Sequence, residues 1–276
     1  MKILSRLFRQ LGLLVEVRKN LNYRQMDEEL RQFSRAKYQE DAEMCVVIVM
    51  AHGDEGKIFC VDGRIVSPLY LEITVLSRLT NTISIFQFET EDIYKRFNNR
   101  NCPALIGKPK VFIIQSCRGS NEDYVPTSGF LSRFSRRNAY SDSDANPFTS
   151  ARPGSGRGDP CQKDILILES TIPGFVSYRD PNVGSWLVTC LDQVFRQFAD
   201  LLDIVELFNK VSEIMEDMTT EKGAKQMPEV RTRGFYKKLW FKPNFEMDPE
   251  EDKENHNIEN RAFIEKNSSQ CRCIIQ

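Results

Sequence analysis

The chain has 276 residues, of which 41% are hydrophobic, and this is enough for the core of one large domain or two small ones. Its 38 Lys and Arg residues nearly balance its 39 Asp and Glu residues, so the totals give no sign of a nucleic-acid-binding or membrane-coating protein. Its eight cysteines include no CxxC pair, which predicts reduced thiols in the cytoplasm and neither a zinc site nor a redox motif.

Hydrophobic spacing in the first half of the chain predicts two helices and two strands. Apolar residues recur at helical spacing over residues 3–11 and again over 22–33, while residues 13–17 alternate like a short strand. Residues 44–51, MCVVIVMA, form a continuous apolar run rich in β-branched side chains. Such a run is typical of a parallel strand that is buried on both faces.

The second half of the chain repeats this pattern. Residues 111–116 and 165–168 are further apolar runs, and residues 186–198 and 203–218 have helical periodicity. This order of elements predicts an α/β fold with a mostly parallel sheet and helices on both faces.

Two segments lack the apolar residues needed to pack. Residues 119–163 are dominated by Ser, Arg, Asn, Asp, Gly and Pro, and residues 246–276 are highly charged. We expect the first to be a disordered linker and the second to be a disordered tail.

A histidine and a cysteine follow two of the buried runs. His52 comes directly after residues 44–51, and Cys117 comes directly after residues 111–116. Ligands in open α/β sheets bind at the carboxyl ends of strands, so both residues are expected at the mouth of the sheet. If the two strands are neighbours, the imidazole can activate the thiol as the nucleophile of a cysteine hydrolase. For each residue alone there is a non-catalytic alternative: Cys117 can be an inert apolar residue, and His52 can be structural.

A glycine accompanies each candidate residue. Gly53 follows His52, and Gly119 lies two residues after Cys117. A glycine lets the backbone approach a substrate carbonyl closely. The N–H groups of Gly53 and Cys117 are therefore candidates for an oxyanion hole.

Several motifs resemble the caspase family. QSCRG at residues 115–119 resembles the caspase pentapeptide QAC[RQG]G, with serine in place of alanine. Four further segments resemble caspase motifs, the last two those of invertebrate cell-death caspases: AHGDEG at 51–56, IPGFVSYRDPNVGSW at 172–186, KQMPEV at 225–230 and FYKKLWFKP at 235–243. The resemblance covers residues 1–245.

The resemblance implies a three-layer caspase-like fold and an aspartate-directed cysteine endopeptidase of apoptosis or related signalling. In it Cys117 is the nucleophile, His52 the general acid/base, and no cofactor or metal takes part. Gln115 and Arg179 match residues that bind the substrate's aspartate, since a buried carboxylate needs charge-assisted hydrogen bonds. Three residues match positions that contact the substrate backbone or wall its apolar subsites: Ser177, Tyr178 and Trp186. For Trp186, packing at a helix start is the alternative.

The family also implies subunits, processing and partners. Residues 1–118 correspond to a large subunit and residues 164–245 to a small subunit, with cleavage after aspartate in the linker between them. Asp144, followed by a small alanine in a serine-rich stretch, is the preferred cleavage site. The expected partners are proteins or peptides with aspartate before the scissile bond, and a second caspase chain bound through the small subunit as a homodimer or heterodimer.

The sequence departs from the family pattern in two places. The family's first strand, which is central in its sheet, and a second arginine of the specificity pocket align before Met1. We therefore expect a missing strand, weaker aspartate binding and reduced stability. The second departure is an apolar insertion at about residues 68–89. The alternative function is a catalytically weak, shortened caspase that binds and regulates a full-length one.

The C-terminus carries a separate signal. Residues 273–276, CIIQ, fit the CaaX prenylation pattern, with Cys273 as the lipidated residue and Cys271 as a candidate for palmitoylation. A chance tetrapeptide is the alternative. Association with a membrane is expected only if Cys273 is prenylated, and a prenylated GTPase is excluded because no GxxxxGK[ST] loop exists in the chain.

Overall fold

The computed structural model describes residues 2–63, 87–124, 159–180 and 183–245, together with the backbone of residues 271–275. Most of the predicted insertion, the preferred cleavage site Asp144, and residues 246–270 of the predicted tail lie outside the described residues.

The described part of the chain alternates between helices and strands. The helices are α1 Lys2–Gln10, α2 Tyr23–Arg35, α3 Thr90–Arg96, α4 Trp186–Phe198 and α5 Ile204–Asp217. The strands are β1 Leu13–Val17, β2 Met44–Met50, β3 His52–Asp54, β4 Lys57–Phe59, β5 Gln87–Glu89, β6 Lys110–Gln115, β7 Ile165–Glu169, β8 Arg179–Asp180, β9 Gly184–Ser185, β10 Glu229–Arg233 and β11 Cys271–Ile275. None of the helices in these ranges is long and apolar enough to cross a bilayer.

A six-stranded sheet organises the fold. Its strand order is β1-β11-β2-β6-β7-β10, and every neighbouring pair is parallel except β7 and β10. Strands β3, β4 and β5 form a separate antiparallel sheet, and β8 pairs with β9. The prediction of an α/β fold with a mostly parallel sheet is confirmed.

The two faces of the main sheet belong to two separate apolar clusters. Val46, Ile48 and Ile113 pack on one face with α1, α4 and α5, whereas Val47 and Phe112 pack on the other with α2 and α3. Successive residues of a strand point to opposite faces, so a strand covered on both sides needs apolar residues throughout. This requirement explains the continuous run in β2, whose residues 44–49 are at most 2% exposed.

Capping side chains define where two of the helices begin. Asp203 accepts hydrogen bonds from the N–H groups of Val205 and Glu206, and the Glu206 carboxylate accepts one from the Asp203 N–H. Asn22 and Gln25 form the same reciprocal arrangement before α2. Each such cap satisfies N–H groups that have no partner within the helix, and typically stabilises it by about 1 kcal/mol.

The predicted linker is packed at both of its ends. Asn121 and Asp123 form backbone bridges with Phe175 and Lys225, respectively. At the other end, the Asn99 N–H donates to the Cys161 carbonyl at 2.9 Å. The expectation of disorder across 119–163 therefore does not hold for residues 119–124 and 159–163, because backbone hydrogen bonds to the core compensate for their low hydrophobicity.

Two further boundaries differ from the sequence expectations. Residues 87–89, assigned to the insertion, form β5 and lead directly into α3. Residues 271–275, assigned to a disordered tail, form β11 between β1 and β2. Strand β11 thus occupies an interior position of the sheet, with a parallel neighbour on each side.

Candidate active site

The carboxyl ends of β2 and β6 form the floor of the candidate site. These strands are parallel neighbours with Met50 opposite Gln115, and the Ala51 N–H donates to the Gln115 carbonyl at 3.1 Å. The two strands are therefore neighbours, which is the condition under which the histidine and the cysteine can act together. His52 lies two residues after Met50, and Cys117 lies two residues after Gln115. Both residues therefore follow the paired ends of their strands at the same distance along the chain.

Gly53 brings the backbone beside His52 against the backbone of Cys117. A Cβ placed on Gly53 would lie 3.0 Å from the Cys117 carbonyl oxygen, 3.1 Å from Ser116 Cβ and only 2.4 Å from the Lys57 carbonyl oxygen. Any larger residue would therefore push the His52 strand away from the cysteine loop. This close approach is the structural reason for a glycine after the histidine.

Cys117 differs in its surroundings from the buried cysteines. Its side chain is half-buried, the Ser177 N–H donates to Sγ at 3.4 Å, and Sγ lies 3.8 Å from the Ser177 carbonyl oxygen. By contrast, burial raises the pKa of Cys60 and of Cys190 to about 11, which keeps both as thiols at neutral pH. Cys117 is thus the accessible thiol at the strand ends, and the buried ones fill the core.

The loop after Cys117 is joined to residues 172–176 by backbone hydrogen bonds. The Arg118 N–H donates to the Phe175 carbonyl at 2.9 Å, and the Gly174 N–H donates to the Arg118 carbonyl at 2.6 Å. Gly119 follows Arg118 and has φ +150°. A Cβ placed on Gly119 would lie 2.3 Å from the carbonyl of Gly174. The two loops therefore hold Cys117 between the candidate large and small subunits.

The two candidate aspartate-binding residues are related to Ser177 in different ways, Gln115 by a hydrogen bond and Arg179 by its position in the chain. Gln115 Nε2 donates to Ser177 Oγ at 2.7 Å, which places the amide next to the loop that contacts Cys117. Arg179 lies two residues further along that loop, in β8, paired with Ser185 of β9, and is exposed. Gln115, at the end of β6, thus contacts the loop that carries Arg179.

Tyr178 and Trp186 form an aromatic wall next to this loop. Their ring centroids are 5.1 Å apart, and the Trp186 N–H donates to the Tyr178 carbonyl at 3.3 Å. Trp186 starts α4 and also packs against the core, so it contributes to helix packing as well as to the wall. Buried Gln226 supports the loop, because its Oε1 accepts from the Tyr178 N–H at 2.6 Å and its Nε2 donates to the Ser170 carbonyl.

Comparison with known proteins identifies the family. A family model described as the caspase domain matches residues 1–240. The chain belongs to the caspase family. Human caspase-9 is 30% identical over 246 residues, which cover 87% of this chain and 54% of that protein. Caspase Dronc of Drosophila melanogaster is 28% identical and cell death protein 3 of Caenorhabditis remanei 30% identical, over 88% and 87% of this chain and 50% and 45% of those proteins.

The match confirms the resemblance inferred from the QSCRG motif. The chain spans about half the length of these caspases. Asp144 lies outside the described residues, and Cys271 and Cys273 lie in β11, which is a strand of the main sheet and not part of the site at the strand ends.

A buried charge network under the cysteine loop of this caspase was missed by the sequence analysis. Arg118 forms an ion pair with Glu229, lies 3.0 Å from Glu169 Oε2 and donates to the Thr171 carbonyl at 3.0 Å. Burial raises the pKa of Glu169, and the guanidinium groups of Arg118 and Arg231 oppose that shift. The sequence signal for this network is Glu169, a single charged residue directly after the apolar run 165–168. A buried carboxylate needs a cationic partner.

We expect Arg118→Met to lower the free energy of unfolding by about 3 kcal/mol or more, because Glu169 would keep its burial and lose one of its two guanidinium partners. Urea unfolding in a Cys117→Ala background measures this without autolysis. Lys95→Met, which removes an exposed pair with Asp92 on α3, is the control and should cost about 1 kcal/mol or less. Equal losses in the two variants would contradict a structural role for the network.

Proposed function

We propose that this chain is a cysteine endopeptidase that cleaves proteins after aspartate in apoptosis or related signalling. The observation that carries the proposal is the close approach of the His52–Gly53 backbone to Cys117 at the ends of β2 and β6. The family match supports the same chemistry. Neither a metal nor a cofactor enters the proposed reaction.

The proposed reaction proceeds through a thioester. Cys117 Sγ attacks the carbonyl carbon of the scissile peptide bond while His52 takes the thiol proton. The N–H groups of Gly53 and Cys117 donate to the oxyanion. His52 then protonates the leaving amine as the C–N bond breaks, and a water deprotonated by His52 hydrolyses the thioester, which restores the thiol.

The proposed aspartate pocket uses Gln115 and Arg179. Gln115 donates to Ser177, whose backbone contacts Cys117, and Arg179 lies two residues after Ser177 in the same loop. A carboxylate taken from water needs such charge-assisted hydrogen bonds to offset its desolvation. Tyr178 and Trp186 wall a neighbouring apolar subsite.

Replacing Arg179 tests the pocket. We expect Arg179→Met to lower kcat/KM for a short aspartyl peptide roughly 10- to 100-fold, since a charge-assisted hydrogen bond contributes about 1.5–3 kcal/mol. Turnover of the matched asparaginyl peptide should stay unchanged. The control is Arg6→Met, at an exposed arginine on α1. A parallel loss for both peptides would argue against carboxylate recognition by Arg179.

The partners in this proposal are protein substrates and a second caspase chain. Strand β10 pairs only with β7 among the described residues, so it forms one of the two outer edges of the sheet, on the small-subunit side, and this edge can pair with another chain. This edge also favours the second candidate function, a catalytically weak chain that binds a full-length caspase. Labelling of Cys117 by an aspartyl-aldehyde probe supports the enzyme, whereas co-purification with a longer caspase without labelling supports the regulator.

Processing and location complete the proposal. Cleavage after Asp144 separates the large-subunit part, 1–118, from the small-subunit part, 164–245. A reducing compartment such as the cytoplasm suits the mechanism, because the nucleophile must be a free thiol, as Cys117 is in this structure.

A further inference from the structure

The C-terminal strand has two neighbours in the sheet. Residues 271–275 pair in parallel with β1 over Leu13–Val17 and with β2 over residues 44–48, five register positions on each side. We call the space between the facing edges of β1 and β2 the strand slot. A strand in this slot has backbone partners on both sides, as a central strand of a sheet does.

The strand in the slot connects the N-terminal unit, α1 and β1, to the rest of the main sheet. Within the described ranges, β1 pairs with no strand other than β11, so the α1–β1 unit reaches the sheet backbone only through the C-terminal strand. Contacts between α1 and α4, such as Phe8 with Phe195, hold the unit from one side. An empty slot would leave unpaired N–H and C=O groups along the facing edges of β1 and β2. Strand β2 leads directly to His52.

The course of the chain favours its own C-terminus as the occupant. The Phe245 carbonyl accepts a hydrogen bond from Gln10 Nε2 at 3.2 Å, so the chain leaves the small-subunit part close to the start of β1. Residues 246–270 then connect to β11, and a chain of this length can span up to about 85 Å. The intramolecular strand therefore reaches the slot at an effective concentration in the millimolar range, well above that of a second copy.

The sequence of the strand makes its docking weaker than that of a core strand. Arg272 takes the register position between Leu14 and Cys45, next to residues of two apolar strands. Strands β2, β6 and β7 carry no charge between their first and last residues, whereas β1 and β10 carry Glu16 and Arg231 there. A charged residue gains less from apolar cross-strand neighbours than an apolar residue does, so docking of β11 is weaker than the pairing of β2 with β6.

We propose that the strand slot is a strand-binding site occupied by the chain's own residues 271–275, and that docking there and lipidation of Cys273 exclude each other. Prenyl transfer forms a thioether from the Cys273 thiol and an isoprenoid diphosphate, releasing diphosphate and the thiol proton. A prenyltransferase binds the terminal residues as an extended free peptide. Residues 271–275 are inaccessible to it while they are paired in the sheet. Docking serves the proposed peptidase by completing the sheet beneath His52.

Hydrogen exchange of the full-length Cys117→Ala chain tests docking independently of peptidase activity. Backbone amides of residues 272–275 should exchange at least about tenfold more slowly than in a synthetic peptide of residues 267–276. Ile274→Pro, which removes a strand N–H, should remove that protection and accelerate exchange in β1 by a similar factor, with β7 unaffected. Gln276→Pro, beyond the last paired residue, is the matched control.

Three results would overturn the proposal. One is exchange of residues 272–275 at the rate of the free peptide, whatever the proline variants do. The second is protection that disappears when the protein is diluted to monomer, which would assign the slot to a second copy. The third comes from a prenyltransferase supplied with farnesyl diphosphate: we expect the folded chain to be modified at least tenfold more slowly than the 267–276 peptide, and equal rates would show that docking does not withhold Cys273.

Discussion

Cys117→Ala should lower kcat/KM for an aspartyl peptide by a factor on the order of 10⁴ or more, because in the proposed reaction the thiol is the group that forms the covalent intermediate. His52→Ala should produce a loss of similar size, since in the same reaction the imidazole both removes the thiol proton and protonates the leaving amine. The double variant should be no worse than either single one. Steady-state turnover of a fluorogenic aspartyl peptide measures all three.

Cys161 provides the control for this series. It is half-buried like Cys117, but it lies beside Asn99, whose N–H donates to its carbonyl, and away from the strand ends. Cys161→Ala should therefore retain nearly full activity. If the loss in the double variant equalled the sum of the two single losses in free energy, Cys117 and His52 would act separately. That result would contradict the proposed pair.

The parts of the site that the sequence predicted are those encoded locally. The apolar runs that became β2, β6 and β7 are continuous because each strand is covered on both faces. His52 and Cys117 follow two of these runs directly, so strand adjacency alone was needed to bring them to one edge. The resemblance to family motifs then supplied expected roles for residues that carry no such local signal, such as Ser177.

The parts that were missed depend on contacts between distant residues. The strand at 271–275 is five residues long and follows a charged segment, and its partners at 13–17 and 44–48 are more than 220 positions away. Nothing in its own composition indicates which strands it joins. The same holds for Arg118, whose partners Glu169 and Glu229 come from β7 and β10. Local periodicity reports burial, and it does not report which buried groups meet.

Gly119→Ala is expected to lower the free energy of unfolding by roughly 3 kcal/mol or more and to reduce activity far below that of the parent. The reason is that the new Cβ would lie 2.3 Å from the backbone of Gly174, which cannot move without breaking the hydrogen bonds between the two loops. The backbone at φ +150° adds strain for any side chain. Urea unfolding and aspartyl-peptide turnover measure the two effects.

Gly107→Ala separates the collision from the backbone strain. Gly107 also has a positive φ, +73°, but no atom lies within 4 Å of a Cβ placed there. This control should therefore cost about 1–2 kcal/mol, the usual penalty of a left-handed residue, and leave turnover unchanged. If Gly119→Ala were no more destabilising than Gly107→Ala, the contact between the cysteine loop and Gly174 would not be what holds Cys117 in position.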